Sequence, residues 1–247
     1  MTFEAVLFDL DDTLLSWESP AWSWEEIGLR RAEGLRRYLA TLAIDIDASA
    51  LAAASHAAIV DAWRASRVDP DHPSPRLGRA LCDALDRLGA RTTALDVDAL
   101  CDAFGWEAIP GVVPLPDALS VLDTLRERGV RIGIVTNSHV PVRLRLAELT
   151  ALGLAERIDV CVTSGDVGRL KPHPAIFHAA LDVLGVAPGR ALFVGDRPER
   201  DIKGANAVGM TSVLYRPPYL PAAAPFGPGE SPDHTIAGLN EVLEIVR

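Results

Sequence analysis

Cysteine is scarce in this chain. Cys82, Cys101 and Cys161 are the only three among 247 residues, an odd number without metal-ligand spacing. That excludes a disulfide-stapled scaffold and a cysteine-based zinc site, and it reads as small buried hydrophobes in a reducing compartment. Concentrated positive charge is missing too: 24 Lys and Arg stand against 34 Asp and Glu, a net charge of −10, with no dense basic run. Nucleic acid is therefore not expected as a general partner, because phosphate-backbone binding needs clustered cations. A small anionic ligand stays open, since it responds to the local field of a cleft. No stretch approaches the roughly 18 apolar residues of a membrane span. Met1 leads into an apolar strand without a basic segment, hydrophobic segment and cleavage site in succession, so the expectation is a cytoplasmic protein with no membrane partner. Internal repeats and low-complexity domains are absent as well.

What is present is apolar sequence in short, ordered pieces. Hydrophobic residues make up 49% of the chain, enough for one large domain or two modest ones. Apolar, β-branched runs recur at Ala5–Phe8, Arg131–Thr136, Asp159–Thr163, Ala191–Val194 and Thr211–Leu214. From Arg131 onward, helical patterns at Val142–Leu152, Pro174–Leu184 and Ile202–Val208 separate them. This alternation predicts an α/β fold, a parallel sheet with helices on both faces. Ser16 to Pro110 is instead rich in Ala, Leu and Arg, with helical periodicity over Trp24–Leu42, Ala48–Arg64, Arg76–Leu88 and Val97–Phe104. It reads as an inserted helical domain, so the expected division is 1–15 with 111–247, and 16–110. Pro110 to Pro116 is the return linker, and Asp117–Arg128 the helix that follows it. Arg216 to Pro232, dense in proline, glycine and alanine, is expected as a surface connector before a last strand and helix at His234–Val246.

Polar residues end the strands. The first run stops in three carboxylates, Asp9, Asp11 and Asp12. Negative charges fixed together at one strand end repel, so they hold either a metal or a proton between them. Thr136 and Asn137, Ser164, then Asp196 follow later strands, and parallel strands would gather these residues at the carboxyl edge, where open α/β sheets bind ligands.

In order, Asp9-Leu10-Asp11-Asp12-Thr13, Thr136-Asn137, Lys171-Pro172 and Gly195-Asp196-Arg197-Pro198-Glu199-Arg200-Asp201 resemble the four signatures of the haloacid dehalogenase superfamily, in its phosphatase branch with a helical cap inserted after the first motif. The resemblance covers Phe3 to Leu15 and Pro110 to about Leu214, and the insert fits by position and type. It implies a Rossmann-like core with Asp9 as the nucleophile and Asp11 as general acid and base. Thr136, Asn137 and Lys171 would hold the phosphoryl group. Asp9, the Asp11 backbone carbonyl and Asp196 would ligate a metal, with Asp201 behind them. An all-oxygen site beside a phosphate suits Mg²⁺. Asp12 stands where many relatives have glycine, and Thr13 is a candidate to satisfy the loop backbone.

The function so implied is Mg²⁺-dependent hydrolysis of a small phosphorylated metabolite. A phosphomutase, a haloacid dehalogenase and a catalytically silent binding module are the alternatives on the same fold. Thr136 and Asn137 have a plainer reading as an N-cap, and so does Asp201. His173 reads as structural, and His56, His72, His139, His178 and His234 lack ligand spacing. In the insert, Trp17, Trp22, Trp24 and Trp63 with Arg30, Arg31, Arg36 and Arg37 either line a specificity pocket or pack and solvate the helices.

Overall fold

Val6 and Phe8 pack into one apolar layer and Ala5 and Leu7 into another, and all four are fully buried. A strand with both faces covered must sit inside a helix-flanked sheet. The computed structural model describes residues 2–68, 73–90, 92, 95–217 and 225–246. In chain order it contains β1 (Ala5–Phe8), β2 (Leu15–Ser16), α1 (Trp24–Thr41), α2 (Ala48–Val68), α3 (Leu77–Arg87), α4 (Val97–Phe104) and β3 (Val113–Pro114). Next come α5 (Ala118–Glu127), β4 (Arg131–Thr136), α6 (Val142–Ala151), β5 (Val160–Thr163), α7 (Ser164–Val167) and α8 (Pro174–Leu184). The chain closes with β6 (Ala191–Gly195), α9 (Lys203–Val208), β7 (Thr211–Tyr215), β8 (His234–Ile236) and α10 (Val242–Ile245).

Six strands form one parallel sheet in the order β5-β4-β1-β6-β7-β8. The chain builds outward from β1 through β4 to β5, then crosses to β6 on the other side, so the order reverses beside β1. Val121, Leu122 and Leu125 of α5 cover the Val6–Phe8 face, and Ile176, Phe177 and Leu181 of α8 cover the other. Gly133 in β4 lets Leu7 and Val160 close over it, since a Cβ there would collide with both side chains.

The four helices α1–α4 surround a separate core of Leu35, Leu39, Leu51, Leu77, Leu81, Leu85, Leu100 and Phe104. The chain enters and leaves them through β2 and β3, which pair antiparallel, a contact the sequence pattern did not reveal. Each piece is only two residues long, too short for a period. α2 runs one turn past the predicted Arg64, to Val68. The helix predicted over Ile202–Val208 is α9, and a π-turn over Pro198–Ile202 leads into it. Within the proline-rich connector, 218–224 lie outside the described residues, and Asn206 Nδ2 donates to the carbonyls of Gly229 (3.0 Å) and Ser231 (2.9 Å). His72 also lies outside the described residues. Among the described residues no helix is long and apolar enough to cross a membrane.

Candidate active site

Parallel pairing sets Phe8 against Ile134 on one side and Val194 on the other. The residues just beyond those strands therefore share an edge: Asp9 after β1, Thr136 at the end of β4, and Asp196 after β6. Lys171 arrives from the segment between α7 and α8, and its backbone is fixed by Asn137. Lys171 N donates to Asn137 Oδ1 (2.7 Å), and Asn137 Nδ2 donates back to Lys171 O (3.3 Å). The ammonium then reaches Asp9 Oδ1 at 2.6 Å and Asp201 Oδ1 at 2.7 Å, and lies 5.4 Å from the Phe193 ring centroid.

Burial pulls the Lys171 pKa down, but Asp201 and Asp9 outweigh it and the net shift is upward. Burial pushes Asp9 up to about 8; Lys171 opposes the rise, and Asp201 and Asp196 add to it. Asp196 rises to about 6, first through burial and then through Asp201. Without a cation, one lysine faces three carboxylates, and Asp9 and Asp196 lean toward keeping a proton.

Asp9, Asp196 and Asp201 each place a carboxylate oxygen within 4.8 Å of the others. Asp201 is occupied: Oδ1 meets Lys171, and Oδ2 accepts from Arg197 N at 3.0 Å. Gly195 makes that approach possible, because a Cβ on it would lie 2.5 Å from Asp201 Cβ. Asp196 Oδ2 meets Arg197 Nε at 3.1 Å, while its Oδ1 is buried without a hydrogen-bond partner. An orphaned buried carboxylate oxygen beside Asp9 is what a hard, oxygen-seeking cation would satisfy. The donors therefore fit a metal held by Asp9 and Asp196. Thr136 Oγ1 is likewise buried and unpartnered at the same edge. Asp9, Asp11, Asp12, Thr136, Asn137, Lys171, Asp196, Arg197, Arg200 and Asp201 line one cavity of about 120 Å³.

Asp11 is held on both oxygens. Trp17 Nε1 donates to Oδ1 (2.9 Å) and Arg145 Nη2 to Oδ2 (2.8 Å). Arg145, on α6, is buried and also donates to the fully buried Glu148 (2.6 Å). Trp106 Nε1 donates to the same Glu148 oxygen (3.0 Å), and Arg31 stacks over Trp106 at 3.7 Å. The sequence reading missed Arg145, Glu148 and Trp106. A helix carrying an inward arginine and a glutamate three residues on was the available signal, but it also describes a solvated face.

Several plainer expectations change. The N-cap reading of Thr136 and Asn137 fails, because α6 begins at Val142 behind Pro141, which makes no side-chain cap. Thr13 Oγ1 is buried without a partner, so it does not satisfy the loop backbone. Asp12 has φ 64°, the left-handed region where glycine is at ease and aspartate is tolerated. His173 caps α8, accepting from Ala175 N at 3.1 Å. Of the insert residues, Trp17 stacks on Trp24 at 5.5 Å, Arg30 lies 4.1 Å over Trp22, and Arg36 pairs with Glu33 at 2.7 Å. Arg37 donates to Glu33 O. Trp63 lines a cleft. Cys82, Cys101 and Cys161 are unpaired, and Cys101 is the buried one.

This fold and edge belong to one class. The chain is a member of the haloacid dehalogenase-like hydrolases, matching that family over residues 3–209. It is 31% identical over 263 residues to a ribulose-1,5-bisphosphate 5-phosphatase from Halopiger xanaduensis, covering 98% of both chains. It is 36% identical over 163 residues to a glyceraldehyde 3-phosphate phosphatase from Methanopyrus kandleri, covering 66% of this chain and 69% of the relative. Among solved structures, a 2-haloacid dehalogenase from Pseudomonas syringae superposes with a TM-score of 0.61 at 26% identity, over 99% of this chain and 98% of that one. A haloacid dehalogenase-type phosphatase from Thermococcus onnurineus gives 0.57 at 25% identity, over 100% and 98%.

Proposed function

We propose that this hydrolase is a Mg²⁺-dependent phosphomonoesterase acting on a small phosphorylated metabolite through an aspartyl-phosphate on Asp9. The observation that carries the reading is the Lys171 ammonium 2.6 Å from Asp9 Oδ1, in a cavity where Asp196 Oδ1 and Thr136 Oγ1 are buried without partners. Phosphoryl transfer needs an anionic nucleophile and donors for the phosphoryl oxygens. The two relatives aligned above act, by name, on small phosphate esters.

In this mechanism an Asp9 oxygen attacks phosphorus as the ester oxygen leaves, and Asp11 gives that oxygen a proton. Lys171 and Thr136 donate to the phosphoryl oxygens. Asp11 then takes a proton from a water that attacks phosphorus, which releases phosphate and restores Asp9. With both oxygens accepting from Trp17 and Arg145, Asp11 has the arrangement suited to this second, proton-accepting half. Asp9, the Asp11 carbonyl and Asp196 would hold Mg²⁺, which supplies neutralising charge for the phosphoryl oxygens. We assign 1–15 with 111–247 to the catalytic core and 16–110 to a cap over it. A cytoplasmic location fits the three unpaired cysteines.

A dehalogenase would use Asp9 at carbon, with no need for an acid at Asp11 or a metal carboxylate at Asp196. The test is phosphate release from a panel of sugar phosphates, phosphorylated acids and phenyl phosphate, with and without Mg²⁺, beside chloride release from 2-chloropropionate. Metal-dependent phosphate release is expected. Chloride release alone, or neither product, overturns the reading.

A further inference from the structure

The cavity over Asp9, at about 120 Å³, is far below the roughly 300 Å³ at which small-molecule pockets begin. It is sized for a phosphoryl group, so the rest of an ester extends beyond it. A second cleft of about 490 Å³ is lined, among the described residues, by Val60, Trp63, Arg64 and Arg200, and its size falls within that pocket range. Arg200 lines both spaces.

Val60, Trp63 and Arg64 stand at positions i, i+3 and i+4 of α2, which puts them on one helix face. Trp63 is pinned by its edge: Nε1 donates to His139 Nδ1 (3.4 Å), and the two rings meet at 90°. The cleft is thus lined by a fixed indole and two arginines, Arg64 and Arg200. The nearby acids do not cancel that charge. Asp61 lies 3.5 Å from Arg64 but only 3.0 Å from Arg87, which it also pairs with. Glu199 touches Arg200 only at 3.8 Å. Guanidinium groups bind phosphate and carboxylate through paired, charge-assisted hydrogen bonds.

We infer that the substrate is a phosphate ester whose leaving group carries a second anionic group, a phosphate or a carboxylate, held in this cleft by Arg64 and Arg200 beside Trp63. The inference rests on the phosphomonoesterase reading. It makes Arg64 a specificity residue, remote from the motifs that handle the transferred phosphoryl group.

The experiment compares wild type, Arg64→Gln and Arg64→Lys on three esters: phenyl phosphate with a neutral leaving group, phosphoglycolate with a carboxylate, and a sugar bisphosphate. Wild type should favour one of the two anionic esters over phenyl phosphate by about tenfold or more in kcat/KM, mainly through KM, as expected for one charge-assisted contact. Arg64→Gln should erase most of that preference, lowering the ratio of anionic to neutral kcat/KM by a similar factor, and Arg64→Lys should keep part of it. Which ester is favoured tells phosphate from carboxylate. Turnover of phenyl phosphate without preference for either anionic ester overturns the inference and leaves the phosphomonoesterase reading standing, as does a preference that Arg64→Gln leaves unchanged. Turnover of none of the three removes both.

Discussion

Arg145 Nη2 lies 2.8 Å from Asp11 Oδ2, and Nη1 of the same guanidinium lies 2.6 Å from Glu148 Oε2. The arginine and Glu148 are buried, so neither charge can fall back on water. Their partners have to come from within the protein.

Arg145→Gln should therefore do two separable things. It leaves Glu148 buried without its cation, a loss of about 3–5 kcal/mol of stability, and it frees one Asp11 oxygen. Pairing it with Glu148→Gln should recover most of the stability, read by urea unfolding, while turnover stays at least about tenfold down because Asp11 Oδ2 remains without its donor. Recovery of both together would mean that Arg145 serves the fold alone.

Thr136 gives the opposite split. Its hydroxyl is buried and unpartnered, a cost to the free enzyme that Thr136→Val removes at nearly the same volume. Stability should hold or rise by about 1 kcal/mol while kcat/KM falls about tenfold or more. Measured unfolding and turnover that decline together would contradict a phosphoryl-binding role for this hydroxyl.

Proton and metal should compete. Asp9 is pushed up to about 8 and Asp196 to about 6, both first through burial, so without a cation the acids bind protons as pH falls through that window. Mg²⁺ must displace them, so its affinity should weaken as pH drops below about 8. Calorimetry in buffers of different ionisation enthalpy should show proton release on binding at about pH 6.5. A Kd unchanged between those pH values contradicts the shared site.

His139 supplies a stability prediction at the contact between the helical segment and the sheet edge. Burial, then Arg31 and Arg145, push its pKa down from 6.5 to about 3. The unfolded chain binds this proton more readily, so the stability tied to neutral His139 is complete above pH 6.5 and is lost as pH falls toward 3. The slope is at most about 1.4 kcal/mol per pH unit. His139→Gln should flatten that part of the acid limb in unfolding measured across the window. Parallel profiles for the two proteins would place the acid sensitivity elsewhere.

The sheet was legible because its strands are continuous apolar runs, and a parallel sheet makes every such run end at the same edge. That is why Asp9, Thr136 and Asp196, far apart in sequence, could be placed together. The Arg145–Glu148 pair was not legible. A charged pair at helical spacing reads as solvated until tertiary packing buries it, and α6 buries Arg145 and Glu148 beside Leu149. The β2–β3 contact escaped for a different reason, because four residues split across the helical segment carry no pattern of their own. Trp17 illustrates the remaining gap: its sequence context offered a pocket wall or helix packing, and neither pointed to the indole N–H that it donates to Asp11.

The central claim is that Asp9 itself carries the phosphoryl group. Acid quenching of the enzyme with Mg²⁺ and a turned-over phosphate ester, followed by mass spectrometry of the Asp9 peptide, tests it most directly. One added phosphoryl group on Asp9 is expected during turnover, absent from Asp9→Asn, which should also release no phosphate. Phosphate release by Asp9→Asn at a rate near wild type, or a phosphoryl group trapped on another residue, would contradict the account.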